Sequence, residues 1–161
     1  MFRVAVWLAA IPALAAGTAA LAGPDDIRLT GRVVDRAQVL DKATRDHVTA
    51  ASRRLEQRTG HQLVVVTIPS LEGDTIEHYS LTLFNRWRVG RACCNDGVGL
   101  LFAMRERRVR VEVGKGLERQ LTDPEAAAII QRSILPAIAR GGIAAGVRAG
   151  TDAIAGELER S

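Results

Sequence analysis

The chain has 161 residues, of which 47% are hydrophobic and 25% charged, a composition typical of one globular domain and not of a disordered chain. Its formal net charge of +4 comes from 22 basic and 18 acidic residues, spread along the chain without a block of like charges. Because only 4% of the residues are aromatic, a base-stacking surface is not expected. The composition therefore argues against a nucleic-acid partner.

Residues 1–22 have the pattern of a secretory signal peptide. Arg3 supplies a positive charge, an uncharged apolar stretch follows, and small residues precede a cleavage position after Ala22. The alternative is a membrane anchor, since the whole uncharged stretch is long enough to span a bilayer, but its strongly apolar part has the length of a signal-peptide core. We predict cleavage near Ala22, a single mature domain over 23–161 without a membrane span, and a periplasmic or secreted location.

The sequence of the mature chain predicts strands that are followed by helices. Asp41 and Gly60 are suited to begin and end a helix, and the valine-rich run at 63–66 suits a strand buried on both faces. Thr122 to Glu125 has the form of a capping box. The predicted elements are strands over 31–35, 62–68, 97–104 and 108–113, and helices over 42–59, from a capping box at 74–77 to 87, over 123–140 with a kink near Pro136, and over 143–159 after a break at Gly141-Gly142.

The order β-α-β-α-β-β-α-α predicts an α/β fold. Strands separated by helices pair in parallel, whereas the last two strands are joined by the short polar turn at 105–107 and must form an antiparallel hairpin. The expected architecture is a mostly parallel sheet with one antiparallel hairpin and with helices on its faces.

The signatures of the common catalytic classes are missing from the sequence. It has no phosphate-binding P-loop, no dinucleotide fingerprint and no Gly-x-Ser-x-Gly elbow, and its three histidines do not occur at metal-ligand spacing. No classical nucleophile is visible, so whether the chain is an enzyme stays open.

Carboxylates near strand ends are the remaining candidates for a site. Asp35 ends the first predicted strand, and Asn95 and Asp96 precede the third. Hard oxygen ligands suit calcium or magnesium, so we predict that these three residues meet at one crevice and hold a divalent ion. The alternative is local turn and capping chemistry. Further polar residues that would neighbour the site come from the last strand and the turn after it: Arg110, Glu112, Glu118 and Asp123.

Cys93 and Cys94 are adjacent in the chain. Neighbouring cysteines rarely close a ring with each other, because disulfide geometry is demanding. Three interpretations remain: one buried and one loop thiol, a vicinal disulfide, or an intermolecular bridge that links two copies through Cys93 or Cys94. The last of these predicts a disulfide-linked dimer.

Several ordered motifs resemble the TPM domain family. They are the Leu-Thr-Gly-Arg-Val-Val-Asp segment at 29–35, Thr-Gly-His-Gln at 59–62 before Val-Val-Val-Thr at 64–67, Phe-Asn-Arg-Trp-Arg-Val-Gly at 84–90, Asn-Asp-Gly-Val-Gly-Leu-Leu at 95–101, and Arg-Arg-Val-Arg-Val-Glu-Val-Gly-Lys-Gly-Leu-Glu at 107–118 followed by Leu-Thr-Asp at 121–123. The match covers about residues 28 to 156. Arg88 stands where the family usually has glycine, and Lys115 where tyrosine is frequent.

The resemblance implies a three-layer αβα Rossmann-like sandwich exported from the cytoplasm. It also implies two classes of function. The first is a binding or quality-control accessory module for envelope or membrane proteins, with divalent-ion binding as an additional property. The second is a metal-assisted acid phosphatase, for which we expect clustered carboxylates to hold an ion that neutralises charge and Arg110 to clamp the phosphate. A purely structural exported domain is a third interpretation.

Overall fold

The computed structural model describes residues 26–160, so the predicted signal peptide lies outside the described residues. Within this range, four strands form one sheet with helices on both faces. The strands are β1 (Val33–Asp35), β2 (Gln62–Ile68), β3 (Gly97–Ala103) and β4 (Arg108–Val113), and the helices are α1 (Lys42–Thr59), α2 (Ile76–Trp87), α3 (Asp123–Ile129) and α4 (Leu135–Arg160).

The sheet has the order β1-β2-β3-β4. β1, β2 and β3 run parallel to one another, and β4 pairs antiparallel with β3. The predicted α/β sandwich with a mostly parallel sheet and one antiparallel hairpin is therefore confirmed.

The two central strands are apolar on both faces, which explains the three layers. In β2, Leu63 and Val65 pack in the cluster that contains α1 and α4, whereas Val64 and Val66 pack in the cluster that contains α2. β3 is buried along its whole length. A strand of this kind leaves apolar side chains exposed to water unless helices cover both faces of the sheet.

The connections between the parallel strands depart from a general rule of topology. β1, β2 and β3 follow one another across the sheet, yet α1 covers one face and α2 the other. When two successive crossover connections move in the same direction across a sheet but pass over opposite faces, one connection is right-handed and the other is left-handed. Since such crossovers are right-handed in about 98% of cases, one of these two is an exception.

The helix ends confirm most of the capping predictions. The carboxylate of Asp41 accepts the backbone N–H of Thr44 at 2.7 Å, and Gly60 ends α1 in the left-handed conformation at φ 81°. Thr122 and Glu125 form the expected reciprocal capping box at α3. These local signals fix where the helices start and stop.

Several predicted boundaries were wrong. β1 begins at Val33, two residues later than predicted. Thr75, and not a box at 74–77, caps α2 by accepting the N–H of His78. β3 ends at Ala103, one residue early. The helix predicted over 123–140 with a kink near Pro136 is interrupted just before that residue, as a wider π-helical turn at Ile130–Ile134. Proline lacks the N–H that a continuous helix would need there.

The predicted break at Gly141-Gly142 is present as non-helical backbone inside the long α4 segment. In the part of the chain that the structure describes, no helix combines the length and the apolar character needed to cross a membrane.

Arg88 follows α2 in the left-handed conformation, with φ 50° and ψ 48°, which costs a non-glycine residue about 1–2 kcal/mol. We therefore expect Arg88→Gly to raise the free energy of unfolding by about 0.5–1 kcal/mol, after allowing for the extra entropy of glycine in the unfolded chain. Thermal unfolding should show a melting temperature a few degrees higher.

The matched control is Arg53→Gly, at an exposed position inside α1. The same substitution in a regular helix is expected to lower the stability by about 1 kcal/mol. A loss of stability in both variants would contradict the assignment of strain to Arg88.

Candidate functional site

Asp35 lies at the carboxyl end of β1 and organises the loop that leads into α1. Its carboxylate accepts the backbone N–H groups of Val39 at 3.1 Å and Leu40 at 3.0 Å, and the hydroxyl of Thr67. Arg45 lies 3.7 Å from the same carboxylate. Both oxygens of Asp35 therefore serve the local turn.

Asp96 lies at the other end of the sheet, immediately before β3. It is 2% exposed, and its carboxylate accepts the backbone N–H of Arg91 at 2.7 Å and the Nε–H of the same arginine at 2.7 Å. The Nδ1 atom of His61 lies 3.4 Å away. Burial alone would raise the pKa of Asp96, but the hydrogen bonds from Arg91 and His61 hold it below its usual value. Asp96 thus fastens the loop that precedes β3.

The expectation that Asp35 and Asp96 meet at one crevice is wrong. In the register of the sheet Asp35 pairs with Thr67, and Thr67 with Phe102. Asp96 comes six residues before Phe102 on the same strand direction, which is roughly 20 Å at 3.3 Å per residue. A single ion cannot bind both carboxylates.

A cleft at the amino edge of the parallel strands brings together a different set of polar side chains. This amino-edge cleft has a volume of about 420 Å³. Its polar lining residues come from α2, from the loop before β3, from β4 and from the turn after β4: Asn85, Asn95, Glu112, Lys115 and Glu118. Because β4 is antiparallel, the turn that follows it returns to this edge.

The carboxylates of the amino-edge cleft differ in their surroundings. Glu112 accepts the Nε–H of Arg110 at 2.9 Å and the hydroxyl of Ser80 at 2.8 Å. Glu118 has no hydrogen-bond or ion-pair partner among residues 26–160. Glu118 is therefore the carboxylate that is available to a ligand.

Glycines bring the two loops of the cleft into backbone contact. A Cβ atom on Gly114 would lie 2.2 Å from the carbonyl oxygen of Asn95, and one on Gly116 would lie 2.0 Å from that of Cys94. The N–H of Gly116 donates to the carbonyl of Asn95 at 3.1 Å. Asn95 itself is left-handed, with φ 46°. No larger residue fits at either glycine without moving the loop.

Of the residues predicted from the sequence, the structure brings Asn95, Glu112 and Glu118 together. Arg110 is not among the lining residues of the cleft and reaches it only through Glu112. Asp123 lies in the first turn of α3, outside the cleft, where a carboxylate interacts favourably with the helix dipole.

Asn85 and Lys115 were missed by the sequence reasoning. The available signal was the Gly-Lys-Gly segment at 114–116 directly after an alternating strand, which indicates a close backbone approach.

The donors fit a divalent ion only in part. Among residues 26–160, no group of three histidine, cysteine or carboxylate side chains could hold a metal ion. The cleft offers the carboxylate of Glu118 and the amide oxygens of Asn85 and Asn95, which are ligands that calcium accepts. Calcium takes about six to eight oxygens, so water or a partner would supply the rest. Ion binding by these residues stays a prediction.

Cys93 and Cys94 form a disulfide with each other. The predicted intermolecular bridge is therefore wrong for this state, since both sulfur atoms are already bonded. The two residues lie in a turn in which the N–H groups of Cys94 and Asn95 both donate to the carbonyl of Arg91, at 3.0 and 2.9 Å. This turn brings the adjacent side chains to the same side of the backbone.

Asp96→Asn is expected to lower the free energy of unfolding by about 1–3 kcal/mol at neutral pH, because the buried hydrogen bonds to Arg91 lose their charged acceptor. The pKa of Asp96 is lower in the folded protein than the usual 3.8, so its contribution is complete above that value and is lost as the pH falls through the native pKa. Denaturant unfolding from pH 7 to pH 2 should show the difference between variant and native protein shrinking below about pH 4.

Asp46→Asn is the control, since Asp46 forms an exposed pair with Lys42 and such pairs contribute little. A difference for Asp96→Asn that stays constant down to pH 2 would contradict the role of the charged form.

Comparison with known proteins agrees with this architecture. The N-terminal domain of a protein from P. gingivalis, solved by NMR, is similar at 29% identity with a TM-score of 0.79, over 87% of this chain and 93% of that one. The N-terminal domain of a protein from Corynebacterium glutamicum is similar at 16% identity with a TM-score of 0.64, over 83% of this chain and 84% of that one. BA42 from Bizionia argentinensis is similar at 15% identity with a TM-score of 0.66, over 76% of this chain and 83% of that one. The last two show similarity of fold alone.

A comparison with curated proteins finds no significant match. Residues 33–157 match the family model described as the TPM domain, a range that includes every strand and nearly all of α4. The chain belongs to the TPM domain family.

Proposed function

We propose that this chain is an exported accessory module that binds envelope or membrane proteins outside the cytoplasmic membrane, with the amino-edge cleft as its binding site. The observation that carries the proposal is the lining of the cleft, where carboxylate and carboxamide side chains converge from four separate segments. The signal-peptide pattern of residues 1–22 supports export.

The rim of the cleft favours a protein as the ligand. Leu81 in α2 lines the cleft and is 49% exposed, so it offers an apolar contact beside the polar groups. Protein interfaces combine such apolar contacts with a polar surround. Glu118 and the two asparagines would accept hydrogen bonds from N–H groups or cations of the partner.

Divalent-ion binding is the second part of the proposal. Glu118, Asn85 and Asn95 would hold the ion, in place of the set Asp35, Asn95 and Asp96 predicted from the sequence. Lys115 in the same lining opposes a cation, so a weak site that also uses oxygens from the partner fits best. A calcium ion there would link the module to acidic groups of its partner.

A metal-assisted acid phosphatase is the alternative. The name of the matching family model includes the word phosphatase, and a bound ion would neutralise charge on a phosphate ester. Against this assignment, the predicted phosphate clamp Arg110 is engaged by Glu112 at 2.9 Å. The alternative requires this pair to separate.

Calcium at millimolar concentration is expected to raise the melting temperature of the full-length mature protein by several degrees. A ligand at 100 times its Kd adds about 2.7 kcal/mol of stability. Glu118→Gln should abolish the shift, whereas Asp123→Asn, outside the cleft, should keep it. Differential scanning fluorimetry with calcium, magnesium or no added ion makes the comparison.

Equal shifts in the native protein and in Glu118→Gln would contradict an ion at the cleft. The same samples distinguish the alternative, because hydrolysis of an aryl phosphate at acidic pH that requires both the ion and Glu118 would favour a phosphatase.

A photoreactive amino acid at position 81 is expected to cross-link envelope or membrane proteins in intact cells. The same reagent at position 53, exposed on α1 on the other side of the sheet, is the matched control. Mass spectrometry of the products should find partners enriched at position 81. Identical products at both positions, or none, would contradict the cleft as a docking site.

A further inference from the structure

The Cys93–Cys94 disulfide is exposed and lies beside the amino-edge cleft. Both residues are exposed, and the next residue, Asn95, lines the cleft. A disulfide on the surface is accessible to an attacking thiolate. The bond therefore combines chemical access with a position one residue from the candidate site.

The loop that carries the disulfide is fastened at both ends. Arg91 is held by Asp96 through its backbone N–H and its guanidinium group, and Asp96 is buried at the start of β3. A change of bonding at Cys93 and Cys94 can therefore move residues 92–95 while the sheet stays in place.

The effect of such a change would pass through backbone contacts to the turn after β4, which also lines the amino-edge cleft. The carbonyl of Cys94 lies against Gly116, where a Cβ would be 2.0 Å away. The carbonyl of Asn95 accepts the N–H of Gly116 at 3.1 Å. Asn95 holds a left-handed conformation directly after the disulfide, so the backbone that precedes it determines where its side chain points.

We propose that the Cys93–Cys94 disulfide is a redox modification site whose electron donor is a dithiol, either a small molecule or an exported oxidoreductase with two thiols. One thiolate of the donor attacks a sulfur of the pair and breaks the Cys93–Cys94 bond, and the second thiol of the donor then releases the mixed disulfide. The donor is oxidised to a disulfide, and two electrons and two protons reach the two cysteine sulfurs.

Reduction opens the ring that joins the two adjacent side chains. Residues 92–95 then gain conformational freedom, the hydrogen bond from Gly116 to Asn95 weakens, and the side chain of Asn95 leaves its place in the amino-edge cleft. This consequence for binding depends on the proposed function of the cleft, whereas the chemical and structural steps do not.

The test compares the full-length mature protein before and after treatment with dithiothreitol. Reduction should add two hydrogen atoms to the intact mass and make two thiols reactive with a maleimide. Amide hydrogen exchange at Gly116 should become faster by roughly tenfold, as expected for a locally opened segment, while exchange in β2 stays unchanged.

The double variant Cys93→Ser/Cys94→Ser controls for the reagent. It should show the fast exchange at Gly116 without dithiothreitol and no further change with it. Resistance of the disulfide to excess dithiothreitol in the folded protein would overturn the proposal, as would full reduction without faster exchange at Gly116. Neither readout uses an ion or a partner. The outcome of this test therefore does not depend on whether the cleft binds calcium or a protein.

Discussion

The apolar character of β2 and β3 on both faces is the constraint on which the rest of the structure depends. Strands of this kind must be covered on two sides, and the chain meets that need by sending α1 over one face and α2 over the other. With the strands in sequential order, the two crossovers then have opposite hands. The same arrangement leaves α2 as the helix beside β4, with Ser80 against Glu112, and so forms one wall of the amino-edge cleft.

Polar residues at the two edges of the sheet serve different purposes. At the carboxyl edge, Asp35 accepts the N–H groups of its own loop with both of its oxygens. The Oε1 atom of Glu106 accepts the N–H of Leu71 and the hydroxyl of Ser70, while its Oε2 atom is buried without a hydrogen-bond partner among residues 26–160. At the amino edge, Asp96 fastens its loop, yet Glu118 has no partner among residues 26–160. Glu118 is thus a carboxylate that is both exposed and open to a ligand in the amino-edge cleft, whereas the oxygens of Asp35 are taken up by its own loop.

Local signals predicted much of the fold and little of the site. Helix ends could be predicted at Asp41, Gly60 and Thr122, because capping depends on backbone groups that are close in the sequence. The face that each helix covers depends on distant packing, so the opposite hands of the crossovers could not be read from the sequence. The separation of Asp35 from Asp96 could have been foreseen, since one residue follows a parallel strand and the other precedes one. The disulfide depends on a turn conformation that adjacency alone does not reveal.

The antiparallel strand explains why the cleft lies where it does. In open parallel sheets, ligands bind beyond the carboxyl ends of the strands, because the loops that follow the strands gather there. β4 reverses direction, so the turn after it, with Lys115 and Glu118, arrives at the amino edge beside the loop that precedes β3. Gly114 and Gly116 then allow the two segments to touch backbone to backbone. A single reversed strand thus transfers the meeting point of the loops, and with it the candidate site, to the opposite edge of the sheet.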